Sequence, residues 1–146
     1  MSAAAAPAWP EYPVMLANLG AGYDTKNRFS FETSQWLQVG EGSKFDGQLG
    51  QYVGLSEGAV FDRARYRMAY GSLSLAGGTA IPLVFAGAAA GYGQEANGNG
   101  HFKLRGFASL AYAVSPVIYL ECADFEDFLF GAALKVPIFW KNVYLH

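Results

Sequence analysis

The segment Phe128-Leu-Phe-Gly-Ala-Ala-Leu-Lys-Val-Pro-Ile-Phe-Trp140 decides the fold. One parity holds Phe128, Phe130, Ala132, Leu134, Val136, Ile138 and Trp140, all apolar, while the other contains Asp127, Gly131, Ala133 and Lys135. A strand sends successive side chains to opposite faces, so this is a strand with one wholly apolar side. Phe102 to Val114 repeats the pattern: Phe102, Leu104, Gly106, Ala108, Leu110, Tyr112 and Val114 against Lys103, Arg105, Phe107, Ser109, Ala111 and Ala113. Between Val60 and Leu75, Arg63, Arg65 and Arg67 share a parity opposite Ala64, Tyr66, Met68 and Tyr70. A helix would spread those arginines over about 400° of rotation, whereas a strand stacks them in one row.

Arg28 to Val39 and Val117 to Asp124 alternate in the same way. The first sets Phe29, Phe31, Thr33, Leu37 and Val39 against Arg28, Ser30, Glu32, Ser34 and Gln38; the second sets Ile118, Leu120 and Cys122 against Tyr119 and Glu121. Glycine-richer candidates lie around Val14 to Asp24, Phe45 to Leu55 and Ala80 to Gln94. Turn chemistry punctuates the chain at Asp24–Asn27, Gly40–Ser43, Ser56–Gly58, Ala76–Thr79, Glu95–Gly100, Ser115-Pro116 and Ala123–Asp127. Eight or so strands joined by short turns form a meander, and a meander hides its edges best by closing into an antiparallel up-and-down barrel. The expected organisation is a flexible lead-in over residues 1–11, a barrel over 12–140 and a tail over 141–146.

Composition narrows the setting. Of 146 residues, 52% are hydrophobic and only 15% charged, well below the roughly 25% charged of a soluble domain. Lys+Arg 10 against Asp+Glu 12 leaves no basic field, which argues against nucleic acid as a partner. The 18 glycines and 16% aromatics suit strands better than helices. Cys122 is the only cysteine, which excludes an internal disulfide and any multi-cysteine metal site. Met1 to Pro10 carries neither the positive nor the apolar region of a secretory signal.

A soluble barrel turns its apolar parity inward; a membrane barrel inverts the order, with lipid outside and charges in a narrow lumen. Small residues on the charged parity, among them Gly131, Ala133, Ser109, Ala111 and Ala113, fit a cramped interior. Strands of about ten residues are long enough to cross a bilayer when tilted. Inversion gathers Glu32, Arg63, Arg65, Arg67, Lys103, Arg105, Glu121 and Lys135 into one interior, where buried charge must be paired. A salt-bridge network is therefore expected. Trp9, Tyr12, Tyr70, Tyr112, Phe128 and Trp140 are the expected interfacial aromatics.

The run Leu19-Gly-Ala-Gly-Tyr-Asp24 resembles an opening strand of small bacterial outer-membrane β-barrel proteins. The stretch Phe107-Ala-Ser-Leu-Ala-Tyr-Ala-Val-Ser-Pro116, followed by Val117-Ile-Tyr-Leu-Glu121, is similar to their penultimate hairpin. The resemblance implies an eight-stranded barrel with a packed polar interior, a lipid bilayer as partner and a structural or passive-pore role. Two departures stand out: that family ends on an aromatic at the close of its last strand, whereas Lys141 to His146 continues past Trp140 here, and long outer loops are lacking.

Enzyme chemistry is poorly represented, and no cofactor or metal is expected. Lipid-modifying hydrolases on such barrels need Ser, His and an acid within hydrogen-bond reach, for which His101 and Ser109 are the available pair. Asp124, Glu126 and Asp127 lack metal-ligand spacing and fit a solvated turn. Two other architectures compete. The interval from Met68 to Gln94 has no charge and contains Gly87-Ala-Ala-Ala-Gly91, so a small multi-helix membrane subunit is one. A soluble barrel with an apolar ligand is the other.

Overall fold

The alternation closes on itself. In the computed structural model, which describes residues 15–40, 50–79, 84–110 and 114–141, eight strands pair antiparallel in chain order and β1 pairs with β8. They are β1 (Met15–Asp24), β2 (Arg28–Gly40), β3 (Gln51–Asp62), β4 (Arg65–Thr79), β5 (Val84–Glu95), β6 (Gly100–Leu110), β7 (Ser115–Ala123) and β8 (Asp127–Lys141). Residues 1–14, with Trp9 and Tyr12, lie outside the described residues, as do Tyr112 and the side chain of Trp140.

The faces are inverted relative to a soluble protein. On β4, Leu73 and Leu75 are 64% and 66% exposed, whereas Ser74 between them is 3% exposed. Leu19, Phe31, Leu55, Ile118, Leu120 and Leu134 also point outward, while Glu32, Ser34, Ser56, Lys103 and Glu121 are buried. An interior of this polarity is not the apolar cavity that a soluble ligand-binding barrel requires. The uncharged interval from Met68 to Gln94 lies on β4 and β5, which pair from Met68↔Glu95 to Thr79↔Val84. No helix among the described residues is long and apolar enough to cross a membrane, so the helical alternative has no support here.

Tight turns join the strands at one end of the barrel. Asp24 Oδ1 accepts from the backbone N–H groups of Lys26 and Arg28, at 2.9 and 3.2 Å, and fixes the β1–β2 turn. Gly98, with φ of 92°, sits in the β5–β6 turn. Outward aromatics gather beside these turns: Phe29, Phe31, Phe61 and Tyr66 form a chain of edge-to-face contacts, and Phe102 stacks on Phe125 at 5.5 Å. Phe128, at the start of β8, is 64% exposed and belongs to this band.

Several sequence expectations are corrected. The run from Val60 to Leu75 is not one strand, because Arg63 and Ala64 form the two-residue β3–β4 turn between the paired residues Asp62 and Arg65. Arg67 is then an extra residue on β4, since Val60 pairs with Met68 but Phe61 with Tyr66. Turn and bulge together lift Arg63, Arg65 and Arg67 out of the lumen onto the exposed rim, and from Met68 onward the opposite parity of β4 faces inward. Tyr70, expected at the interface, is on that parity and is buried. Ser56-Glu57-Gly58 is not a turn but the middle of β3, and Ser115-Pro116 opens β7.

The β3–β4 turn is built from unfavourable residues. Arg63 and Ala64 have φ of 48° and 66°, the left-handed conformation that a type I′ hairpin demands and that Asn-Gly supplies most cheaply. A left-handed L-residue costs about 1–2 kcal/mol. Replacing the pair by Arg63→Asn with Ala64→Gly is expected to stabilise the barrel by about 1–3 kcal/mol, read as a shift of the urea midpoint of the refolded protein. An unchanged or lower midpoint would contradict the turn geometry.

Candidate functional site

The inward faces of β2, β6, β7 and β8 each bring charge to the same level of the lumen. Arg105 is its centre. Its Nε and Nη2 donate to Glu121 Oε2 at 2.9 and 2.7 Å, and Nη1 donates to Glu32 Oε2 at 2.9 Å. Arg105 and Glu121 are direct cross-strand partners, whereas Glu32 lies on β2 and is reached across the lumen. Lys103 Nζ stands 2.8 Å from Glu121 Oε1, and Lys135 Nζ donates to Glu32 Oε1 at 2.6 Å. Tyr70 completes the shell of Glu32, its hydroxyl donating to Oε2 at 2.6 Å. The aromatic rings serve the cations too, with Arg105 over Tyr119 at 4.3 Å and Lys103 over Tyr70 at 4.5 Å.

Glycine makes the convergence possible. Glu32 is flanked in register by Gly20 on β1 and Gly58 on β3. Lys135 is the next partner beyond Gly20 and Tyr70 the next beyond Gly58, so each reaches the carboxylate over a missing side chain. A Cβ at Gly20 would lie 2.8 Å from Lys135 Cγ, and one at Gly58 would lie 2.6 Å from Tyr70 Oη and 2.4 Å from the Phe31 carbonyl oxygen. The same device recurs where Trp36 covers Gly54, Phe107 covers Gly87 and Tyr119 covers Gly131, each an opposed pair on adjacent strands. An aromatic ring laid over a glycine fills the lumen that the glycine leaves open.

Of the eight residues expected inside, the structure brings together Glu32, Lys103, Arg105, Glu121 and Lys135 and places the three arginines of the β3–β4 region elsewhere. Sequence reasoning missed Tyr70 as a ligand of Glu32 and missed Asp24, which is buried and paired with Arg28 Nε at 3.1 Å. The tyrosine was legible in principle, since it shares the parity of Met68, Ser72 and Ser74.

Beside the network lies a cavity of about 30 Å³, room for roughly two waters. Glu32, Arg105 and Lys135 form one side, and Trp36 and Phe107 another, their rings in edge-to-face contact at 5.9 Å.

His101 and Ser109 do not form a catalytic pair. They sit toward opposite ends of β6, about 27 Å apart at the rise of a strand. The His101 ring stands at the turn end, Nδ1 2.6 Å from Asp124 Oδ2 and Nε2 3.4 Å from Glu95 Oε1, and ties the β5–β6 hairpin to the β7–β8 turn. That ring and the Phe102 N–H hold the Asp124 carboxyl below its usual range. Asp127 pairs instead with Lys26, which draws the β1–β2 turn to the start of β8.

No protein-family model and no curated protein matches this sequence. The fold is similar to a solved structure from the de novo design of transmembrane β-barrels, with a TM-score of 0.58 over 88% of this chain and 98% of that one. Sequence identity is 10%, so the likeness is one of fold.

The network sets two expectations. Glu121→Gln removes the carboxylate shared by Lys103 and Arg105 and is expected to cost about 3–5 kcal/mol, the range for breaking a buried pair from one side. Glu126→Gln, in the exposed β7–β8 turn, should shift stability by less than about 0.5 kcal/mol. Equal small effects in equilibrium unfolding would place Glu121 outside a buried cluster. Gly58→Ala should cost about 1–3 kcal/mol through overpacking against Tyr70 and the Phe31 carbonyl, and Gly58→Ala with Tyr70→Phe should not recover it, because the backbone contact remains.

Proposed function

We propose that this chain is a small outer-membrane barrel of structural role, its lumen closed by its own ion pairs rather than open as a pore. The observation that carries this reading is the sorting of charge: Glu32, Lys103, Arg105, Glu121 and Lys135 are paired inside, while leucine, isoleucine and phenylalanine cover the outside. An apolar exterior of this extent suits acyl chains, and a closed barrel leaves no unpaired edge in them. Strands of 9 to 15 residues meet the length a tilted bilayer strand needs. Aromatics beside the turns supply a girdle at one interface. Ion pairs that cross the lumen, and aromatic rings laid over its glycines, favour a closed lumen over conduction of solutes.

Two measurements test this. Refolded into lipid vesicles and transferred to a planar bilayer, the protein is expected to insert, resist protease and give no steady conductance. Stable ohmic channels would overturn the structural role, and a monodisperse monomer without detergent would overturn the membrane assignment. Glu57 is outward and exposed in the middle of β3, where it faces the acyl chains in this reading. Glu57→Leu is therefore expected to stabilise the vesicle-inserted barrel by about 1 kcal/mol or more; a loss of stability would show that this face does not meet lipid.

A further inference from the structure

The cavity beside the network has a charge that its own residues do not balance. Its ionic lining is Arg105 and Lys135 against Glu32, which leaves one excess positive charge. The whole cluster gives the same balance, with Lys103, Arg105 and Lys135 against Glu32 and Glu121. Both oxygens of Glu32 are committed, Oε1 to Lys135 and Oε2 to Arg105 and Tyr70. The donors are not exhausted. Lys135 spends one of its three N–H groups on Glu32, and Arg105 spends three of its five on the two carboxylates.

Hydroxyls complete the lining. Ser30, Ser56, Ser72 and Ser74 all face this space. Ser34 lies between the lining residues Glu32 and Trp36 on the inward parity of β2, opposite Ser56; it is 1% exposed, and its Oγ has no partner among the described residues. An orphaned buried hydroxyl marks an unfilled donor or acceptor position. Water alone would satisfy the hydroxyls and leave the excess charge unpaired in a medium of low dielectric constant, which is costly.

We propose that this cavity is a binding site for one monatomic anion, a halide, held by Lys135, Arg105 and the serine hydroxyls. A halide is the smallest anion that would pair the excess charge, and the space beside Lys135 and Arg105 is wide enough to admit one. Trp36 and Phe107, in edge-to-face contact, line the site on its apolar side. The site depends on the folded lumen alone and not on whether lipid surrounds the barrel.

The test uses the intact chain refolded in detergent micelles, in sodium gluconate at constant ionic strength, with chloride replacing gluconate stepwise. Above the dissociation constant, each tenfold rise in chloride should raise the folding equilibrium constant about tenfold. Lys135→Met, which removes the excess charge and leaves Glu32 bound to Arg105 and Tyr70, should abolish that dependence, and Glu126→Gln should keep it. Equal responses to chloride and gluconate, or a dependence that survives Lys135→Met, would overturn the proposal. Crystals of the unaltered protein grown in bromide decide it even where the variant fails to fold. An anomalous peak within contact distance of Lys135 Nζ and Arg105 supports the site, and a cavity holding only water at saturating bromide refutes it.

Discussion

The guanidinium of Arg105 is the constraint on which the rest of the interior depends. It spans the lumen from β6 to Glu32 on β2 while holding Glu121 on β7, so strands that share no ladder are tied through one planar group. Arginine suits this position because its five donors form a fixed fork and its charge persists when buried. Everything else at that level follows from keeping it compensated. Two carboxylates flank it, a tyrosine face supports it, and two lysines take the carboxylate oxygens it leaves over. Glycines at 20 and 58 clear the routes by which Lys135 and Tyr70 arrive.

How much of this was legible depended on whether alternation ran uninterrupted. β6 and β7 keep an unbroken period of two, and the irregularities of β2 at Val39 and of β8 at Ile138 lie beyond Glu32 and Lys135, so the inward charges of all four could be assigned from parity alone. β3 and β4 could not. Arg63-Ala64 is a turn with none of the usual turn residues, while Ser56-Glu57-Gly58 has turn composition for another reason: Ser56 faces the lumen and Gly58 lies beneath Tyr70. Composition at a turn and composition under an aromatic ring look alike in one dimension. The bulge at Arg67 then shifted parity by one, which is enough to exchange the two faces of a strand.

The same argument explains why the uncharged interval from Met68 to Gln94 resembled a helix in sequence. Its inward positions include Ser72, Ser74, Ala89, Gly91 and Gly93, small residues that give place to side chains projecting from elsewhere in the lumen. Its outward positions include Leu73, Leu75, Ala88 and Ala90. Small and apolar residues on both faces erase the periodicity by which a strand is recognised. The ionic side of the lumen is spelled out by β2, β6, β7 and β8, and the glycine-rich β5 supplies the room opposite.

One pairing gives the molecule a sense of time. Lys135 is on the last strand and Glu32 on the second, and their contact passes over Gly20 on the first. It bridges the β1–β8 seam, the ladder joining the two ends of the meander, and so cannot form until that seam has zipped. The seam bridge is thus a latch: it ties the last strand to the second across the closure of the ring, so the first and last strands cannot part without breaking a buried ion pair.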